Sequence, residues 1–133
     1  MKIIGIGVDI IQNNRIKNLL KNKKFLGRIY SDRELKLSKQ NKNKVAYFAK
    51  RFAAKEAFSK ALGTGISNGI NFNEIIILNK KSGKPYISVI GQTKKILKMK
   101  FKRRKSKISL SLSDEKKYAV AFVTISLWKK IKF

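Results

Sequence analysis

Two acidic side chains stand out because of the residues that surround them. Asp9 lies in the apolar, glycine-containing segment GIGVDI, residues 5–10, and Glu56 lies in RFAAKEAFSK, residues 51–60. The chain has 7 acidic residues against 33 basic ones, and it contains no histidine and no cysteine. Asp9 and Glu56 would therefore form a site with oxygen ligands only, which suits a hard divalent cation. Mg²⁺ is often held by one or two carboxylates together with phosphate and water, so the pair predicts a magnesium site for a phosphate-bearing ligand.

Each acid also has a purely structural explanation. Glu56 and Lys60 are four residues apart, as in many solvated surface pairs worth about 0.3–0.5 kcal/mol. Phe48 and Phe52 extend the same helical stripe, which favours a core-facing or cleft-facing position where Glu56 would need a cation. Asp9 could instead be a buried carboxylate that accepts hydrogen bonds from backbone amides. Both explanations stay open at the level of the sequence.

A glycine-rich turn after the second segment could bind phosphate. Gly63, Thr64 and Gly65 offer backbone amides and a hydroxyl group, as phosphate-cradling loops do. Glycine at this position is also the usual C-terminal cap of a helix. Gly5-Ile6-Gly7 lacks the third glycine of a dinucleotide fingerprint, and Gly83-Lys84 lacks the upstream glycine of a Walker loop. The sequence therefore argues against a nucleotide-hydrolysing P-loop.

The spacing of apolar residues predicts the elements that would position these side chains. Lys2 to Ile11 forms a strand with alternating aliphatic residues on one face, while Asp9 and two glycines lie on the other and leave room for something to approach. A long helix runs from about Asn43 to Leu62. The order of elements predicts an α+β fold with an antiparallel sheet packed against this helix, in one compact domain over residues 1–127, before a tail at 128–133. The other predicted elements are helices from Gln12 to about Lys24, from the Ser31–Glu34 capping box, and from Gln92 to Lys100, and strands at 73–79, 86–90, 107–113 and 118–127.

The net charge of +26 favours polyanionic partners, such as nucleic acid, phosphorylated cofactors or an acidic protein. Because lysine, asparagine and isoleucine are all abundant, A/T-rich coding is an equally good explanation of most of this charge. The absence of cysteine excludes disulfides and thiolate metal sites. No apolar run reaches the roughly 18 residues of a membrane-spanning helix, so we expect a cytoplasmic protein without a membrane partner.

Several motifs follow one another in a characteristic order along the chain. They are residues 5–10 (GIGVDI), 51–57 (RFAAKEA), 60–66 (KALGTGI), 83–85 (GKP), and 111–114 with 118–121 (SLSD and YAVA). In this order the chain resembles the holo-acyl-carrier-protein synthases, the small bacterial type of 4′-phosphopantetheinyl transferase, from residue 2 to about residue 127. The resemblance implies transfer of the 4′-phosphopantetheine arm from coenzyme A to a serine of apo acyl carrier protein, with adenosine 3′,5′-bisphosphate released, in fatty-acid biosynthesis. It also implies a homotrimer with active sites between subunits.

The resemblance also implies roles for individual residues. Asp9 and Glu56 would bind Mg²⁺ together with the diphosphate of coenzyme A, and Lys60 would contact phosphate, so that these three would form the catalytic group. The cleft for coenzyme A would be lined by Arg51, Lys60, Gly63, Thr64, Gly65 and Pro85. The acidic carrier protein would dock on the basic first helix through Arg15, Lys21, Lys24 and Arg28, around the apolar contacts of Leu19, Phe25 and Leu26.

No residue type identifies the general base directly. Many members of the family carry a histidine just before the Ser-Asp motif, at the position where this chain has Ser109. Without a histidine, the proton of the acceptor serine would pass to Glu56, to a metal-bound water or to phosphate, and we favour Glu56.

Two other functions remain as alternatives. A nucleic-acid-binding module would account for the net charge and for the basic run at residues 102–105. It would explain neither Asp9 nor Glu56, and no RNA-binding aromatic motif is present. A transferase-like scaffold that has lost activity would bind coenzyme A without turnover.

Overall fold

The computed structural model describes residues 1–63 and 69–129, which contain five α-helices and five β-strands. The predicted α+β class, with an antiparallel sheet packed against a long helix, is confirmed. The helices are α1 (Asn13–Leu19), α2 (Lys23–Ile29), α3 (Asp32–Ser38), α4 (Lys44–Leu62) and α5 (Gly91–Lys100). The strands are β1 (Lys2–Gln12), β2 (Ile75–Asn79), β3 (Pro85–Val89), β4 (Ser106–Asp114) and β5 (Tyr118–Leu127), and a 3₁₀ turn covers Phe72–Glu74.

The strands form two antiparallel sheets, a three-stranded sheet in the order β1-β5-β4 and a hairpin of β2 and β3. Helix α4 packs against one face of the three-stranded sheet. The opposite face, which we call the outer face, is apolar and exposed, and Val8 of β1 lies directly beside Phe122 of β5 there. The exposed apolar residues of the outer face are Ile4, Ile6, Val8, Ile10 and Phe122.

Helix α4 begins and ends close to the predicted residues because both ends are capped. The Asn43 side chain accepts a hydrogen bond from the Ala46 amide at 3.0 Å. Gly63 caps the C-terminus in the left-handed conformation, with φ of 76°, which glycine adopts without steric cost. Neither α4 nor any other helix in the described part of the chain has the length and hydropathy required to cross a membrane.

The two glycines of β1 allow α4 to lie directly on the strand. A Cβ atom added at Gly5 would lie 2.0 Å from the carbonyl oxygen of Ala61, and one added at Gly7 would lie 1.8 Å from that of Ala57. The glycines were expected to leave room for something to approach, and that expectation is confirmed, since the approaching group is the backbone of α4. The close approach serves the site because it holds Asp9 against α4.

Gly7→Ala is therefore expected to lower the free energy of unfolding by about 1–3 kcal/mol, because the added methyl group forces α4 away from β1. Gly27→Ala is the matched control, since a Cβ at Gly27 meets nothing within 4 Å. In this helical position alanine should stabilise the fold by about 0.5–1 kcal/mol. Urea denaturation of both variants measures the difference, and equal effects at the two positions would contradict the close packing of β1 on α4.

The helix predicted from Gln12 to Lys24 is instead two helices, α1 and α2, separated by a turn at residues 20–22. The break has a local cause, because the Asn22 side chain accepts a hydrogen bond from the Phe25 amide at 3.1 Å and so caps a new helix. The periodicity of the apolar residues did not reveal this cap.

The predicted capping box at the start of α3 is confirmed, with Ser31 Oγ accepting from the Glu34 amide at 3.1 Å and Glu34 Oε1 accepting from the Ser31 amide at 3.0 Å. Glu34 has a second role that the sequence did not indicate. Its Oε1 lies 2.7 Å from Lys55 Nζ, and both side chains are fully buried. The Lys55 ammonium also donates to the carbonyls of Phe72 at 2.8 Å and Ile75 at 2.5 Å. This buried pair joins α3, α4 and the start of β2.

Candidate active site

Asp9, Glu56 and Lys60 meet where β1 crosses α4. The Lys60 ammonium lies 3.2 Å from Asp9 Oδ1 and donates to the Val8 carbonyl at 3.1 Å. The Asp9 side chain is only 16% exposed, whereas that of Lys60 is 56% exposed. Glu56 is half-buried one helical turn before Lys60. In an isolated helix Lys60 would pair with Glu56, four residues before it. In the structure Lys60 instead contacts Asp9 of β1, and among the described residues no ion pair joins Lys60 to Glu56.

The two carboxylates repel each other. Burial raises the pKa of Glu56 above the ordinary glutamate value, the nearby charge of Asp9 raises it further, and Lys60 opposes both effects. Lys60 thus only partly compensates the negative charge of the pair. A bound divalent cation would relieve the repulsion, so the donor set fits a hard cation.

This donor set would leave most coordination positions to other molecules. Within residues 1–63 and 69–129, no group of three or more histidine, cysteine, aspartate or glutamate side chains could hold a metal. A cation bound by Asp9 and Glu56 would therefore take its remaining ligands from a substrate phosphate or from water, which is the usual arrangement for Mg²⁺.

The pKa of Glu56 provides a direct test of this geometry in the metal-free protein. We expect ¹³C NMR titration of the side-chain carboxyl to give a pKa above the usual glutamate range. Asp9→Asn should lower the pKa of Glu56, because it removes a neighbouring negative charge, and Lys60→Met should raise it. Asp32→Asn, an exposed change on α3, is the control and should leave it unchanged. An unaltered pKa in Asp9→Asn would show that the two carboxylates are not neighbours.

Arg51 and Pro85 lie elsewhere, in a second cleft of about 560 Å³ that Asp9, Glu56 and Lys60 do not line. The guanidinium of Arg51 stacks 3.6 Å above the Tyr47 ring and donates to Asn79 Oδ1 at 2.8 Å. Arg51 is 7% exposed, and its Nε has no hydrogen-bond partner among the described residues. Burial lowers the pKa of Arg51. The residues predicted for coenzyme A thus fall into two separate groups.

The lining of this second cleft is largely polar. Lys50 and Asp114 form an ion pair there at 3.8 Å, and Asn43 and Asn79 add amide groups. Arg51 also lines the cleft and gives it a cationic group, which suits an anionic or polar ligand group. Arg51 was predicted through the family motif, whereas nothing in the sequence indicated Lys50 or Asn79.

The glycine-rich turn is only partly described. The Gly63 amide donates to the carbonyls of Ser59 at 3.2 Å and Lys60 at 3.0 Å, so it acts as a helix cap and its own N–H is not available to a phosphate. Thr64 and Gly65, which were also predicted to line the cofactor cleft, lie outside the described residues, as does the tail from residue 130.

Ser109 lies on the other side of the sheet from Asp9. In the antiparallel register Asp9 is opposite Ala121, while Ser109 is opposite Thr124. Since side chains alternate along β5, residues 121 and 124 point to opposite faces. Ser109 therefore cannot reach the carboxylate pair of its own chain, and Glu56 remains the candidate proton acceptor.

The residues predicted to dock a carrier protein lie on α1, α2 and the turn between them. Their four cations, Arg15, Lys21, Lys24 and Arg28, are exposed. Leu19 is exposed as well, whereas Leu26 and Phe25 are half-buried, and the Phe25 ring packs 6.2 Å from that of Phe52 on α4. The surface is thus basic with one exposed leucine, and Phe25 links it to the helix that carries Glu56.

Comparison with known proteins agrees with this architecture. The 4′-phosphopantetheinyl transferase superfamily, to which the holo-acyl-carrier-protein synthases belong, matches residues 5–123 of the chain. The chain belongs to this superfamily. A holo-[acyl-carrier-protein] synthase of Pelagibacter ubique is 51% identical over 125 residues, which cover 94% of this chain and 98% of the relative.

Solved structures of the phosphopantetheinyl transferase superfamily have the same fold. The holo-[acyl-carrier-protein] synthase of Neisseria meningitidis superposes with a TM-score of 0.82 and 40% identity, covering 93% of this chain and 98% of that one. A holo-(acyl-carrier-protein) synthase of Bacillus anthracis, solved in complex with CoA (3′,5′-ADP), gives a TM-score of 0.77 and 37% identity, covering 94% of this chain and 97% of that one. The resemblance drawn from the sequence motifs is confirmed.

Proposed function

We propose that the chain transfers the 4′-phosphopantetheine group from coenzyme A to a serine of apo acyl carrier protein, with Mg²⁺ as cofactor, in the cytoplasm and for fatty-acid biosynthesis. The observation that carries the proposal is the meeting of Asp9, Glu56 and Lys60 between β1 and α4. The activity named for the relatives and the coenzyme A complex of the Bacillus anthracis protein support this choice of substrates.

The two carboxylates and the ammonium have different tasks in this reaction. Asp9 and Glu56 would hold Mg²⁺, which when bound neutralises charge on the diphosphate of coenzyme A. The Lys60 ammonium is fixed by Asp9 Oδ1 and the Val8 carbonyl, which engage two of its three donors. The third donor is left for a phosphate oxygen, so Lys60 orients the diphosphate beside the carboxylates.

The bond changes balance with Glu56 as the proton acceptor. The hydroxyl oxygen of the acceptor serine forms a bond to the phosphorus that carries the pantetheine arm. The bond from that phosphorus to adenosine 3′,5′-bisphosphate breaks, and the serine proton passes to the Glu56 carboxylate. The raised pKa of Glu56 belongs to the metal-free protein, and bound Mg²⁺ would lower it, so the assignment of Glu56 as the proton acceptor rests on its position beside Asp9 and Lys60.

We further propose that the active site is completed by a second copy of the chain in a homotrimer. The exposed apolar outer face of β1 and β5 is typical of a subunit contact, with Ile6 60% exposed in the single chain. The separation of the Arg51 and Pro85 cleft from the carboxylate pair also supports this arrangement. One subunit would supply the carboxylates, and its neighbour would supply Arg51 and Pro85.

The test of the activity is incubation with coenzyme A, Mg²⁺ and an apo acyl carrier protein, followed by mass spectrometry of the carrier. A mass gain of one phosphopantetheine group is the expected result. Binding of coenzyme A without any mass gain would identify an inactive scaffold. Salt-sensitive binding of nucleic acid, with no binding of coenzyme A, would favour the nucleic-acid alternative.

Subunit mixing tests the shared site. Asp9→Asn and Arg51→Met are each expected to be inactive alone, and an equal mixture, dissociated and reassembled, should recover about a quarter of the wild-type rate, since one site in four combines two intact halves. The rate of phosphopantetheine transfer measures the recovery. The double variant carrying both changes, mixed with Asp9→Asn, is the control and should recover nothing. Failure of the first mixture to recover activity, with trimers shown by light scattering, would mean that each site lies within one subunit.

A further inference from the structure

A groove between α5 and the strands β3 and β4 has no role in the proposed reaction. Its volume is about 900 Å³, within the range of small-molecule sites, and none of the residues assigned to catalysis or to coenzyme A lines it. Ile108, which lines the groove, shows on which face of the sheet the groove lies. It is opposite Ile125 in the register and so points to the face that carries α4. The groove therefore lies away from the outer face through which we expect subunits to associate.

The floor of the groove is apolar. The side chains of Leu97 and Phe101 are buried along one side of α5, and strands β3 and β4 contribute half-buried aliphatic side chains. The Met99 side chain also lines the groove and is 80% exposed, which is unusual for an apolar residue. The strand residues of the floor are Ile87, Val89 and Ile108.

The rim of the groove is cationic and has no acidic member among the described lining residues. Arg103 lies in the turn after α5 with φ of 59°, a backbone conformation that residues other than glycine rarely adopt. Lys105 packs 5.0 Å from the Trp128 ring. Within residues 1–63 and 69–129 none of the rim residues forms an ion pair. The rim residues are Lys94, Lys95, Lys98, Arg103, Arg104 and Lys105.

We propose that this groove binds an anionic amphiphile, a molecule with one fatty chain and an anionic head group. The chain would cover Val89, Ile108 and Met99, and the head group would pair with the lysines of α5. A nucleic acid would pair with the rim but would leave the apolar floor uncovered, and a neutral lipid would leave the cations without a partner. Only a ligand that combines both properties matches the groove.

The test uses dodecyl phosphate below its micelle concentration as the probe, with binding followed by ¹⁵N–¹H NMR. Dodecyl phosphate should shift amide resonances of α5, β3 and β4. Butyl phosphate, which keeps the head group, and dodecyl maltoside, which keeps the chain without the charge, should each bind at least about tenfold more weakly. The double change Lys94→Glu and Lys98→Glu alters only exposed residues and should weaken binding of dodecyl phosphate by about tenfold or more.

The matched control is Lys36→Glu with Lys39→Glu, the same charge change at exposed positions in α3 and directly after it, which should leave the affinity within about twofold. Equal weakening by both double variants, or amide shifts spread over the whole basic surface, would overturn the proposal in favour of non-specific attraction. Equal affinity for butyl and dodecyl phosphate would also overturn it. If a polyglutamate peptide displaced dodecyl phosphate and bound as tightly, the groove would be a docking surface for acidic proteins instead.

Discussion

Glu56→Gln and Asp9→Asn are each expected to lower the rate of phosphopantetheine transfer by about a thousandfold or more, because each removes one of the two carboxylates proposed to hold Mg²⁺. The fold should remain intact. Asp9→Asn loses a partly exposed ion pair with Lys60, which is worth about 0–1 kcal/mol. Transfer is measured as the mass gain of the carrier protein, and the fold is checked by circular dichroism and thermal unfolding.

The two variants should differ in stability in an informative way. The raised pKa of Glu56 means that folding disfavours its ionised form, so at neutral pH the charge destabilises the native state. Glu56→Gln removes that charge and should leave the melting temperature unchanged or raise it while activity is lost. Glu115→Gln, an exposed change in the β4–β5 turn, is the control and should keep full activity. Near-normal turnover by Glu56→Gln or Asp9→Asn would remove that residue from the proposed site.

Elements with strong local signals were predicted closely. Strand β5 has the predicted ends, and α4 differs from the predicted helix by one residue at its start, because Asn43 and Gly63 cap it. The break between α1 and α2 was not predicted. The apolar residues recur at helical spacing across it, and the new helix starts there because Asn22 caps it. The ends of a helix can therefore be predicted from the sequence when its capping residues are recognised.

Contacts between distant segments were harder to predict. The glycines of β1 indicated a close approach, but the sequence did not show that the approaching group was α4 itself rather than a ligand. Arg51 and Glu56 share a helix, yet five residues correspond to a rotation of about 140°, so the two side chains point to different clefts. The face that each residue occupies follows from tertiary packing, which no single motif contains.

The pair of Glu34 and Lys55 is the clearest example of such a contact. The residues are 21 positions apart, and the sequence indicated only a helix cap for Glu34. In the structure Glu34 accepts from the Ser31 amide, from Lys55 and from the Ile77 amide, so both of its oxygens are engaged. Lys55 directly precedes Glu56 in the motif, and about 100° of helical rotation separates the two, so Lys55 is buried while Glu56 is only half-buried beside Asp9.

Glu34→Gln is expected to lower the free energy of unfolding by about 3–5 kcal/mol, because it leaves the Lys55 charge buried without a counter-ion. Burial already lowers the pKa of Lys55 to about 8, and Glu34 opposes that shift. In Glu34→Gln, Lys55 should therefore release its proton at a lower pH than in the wild type. The difference in the free energy of unfolding between the variant and the wild type should then become smaller as the pH rises from about 6 to about 8. Urea denaturation at the two pH values measures this change.

The double variant Glu34→Gln with Lys55→Met removes both charges, and it should lose less stability than the sum of the single changes. Additive losses and a deficit independent of pH would show that the pair contributes only as two separate hydrogen-bonding groups, and the ion pair would then have no part in holding α4 in place.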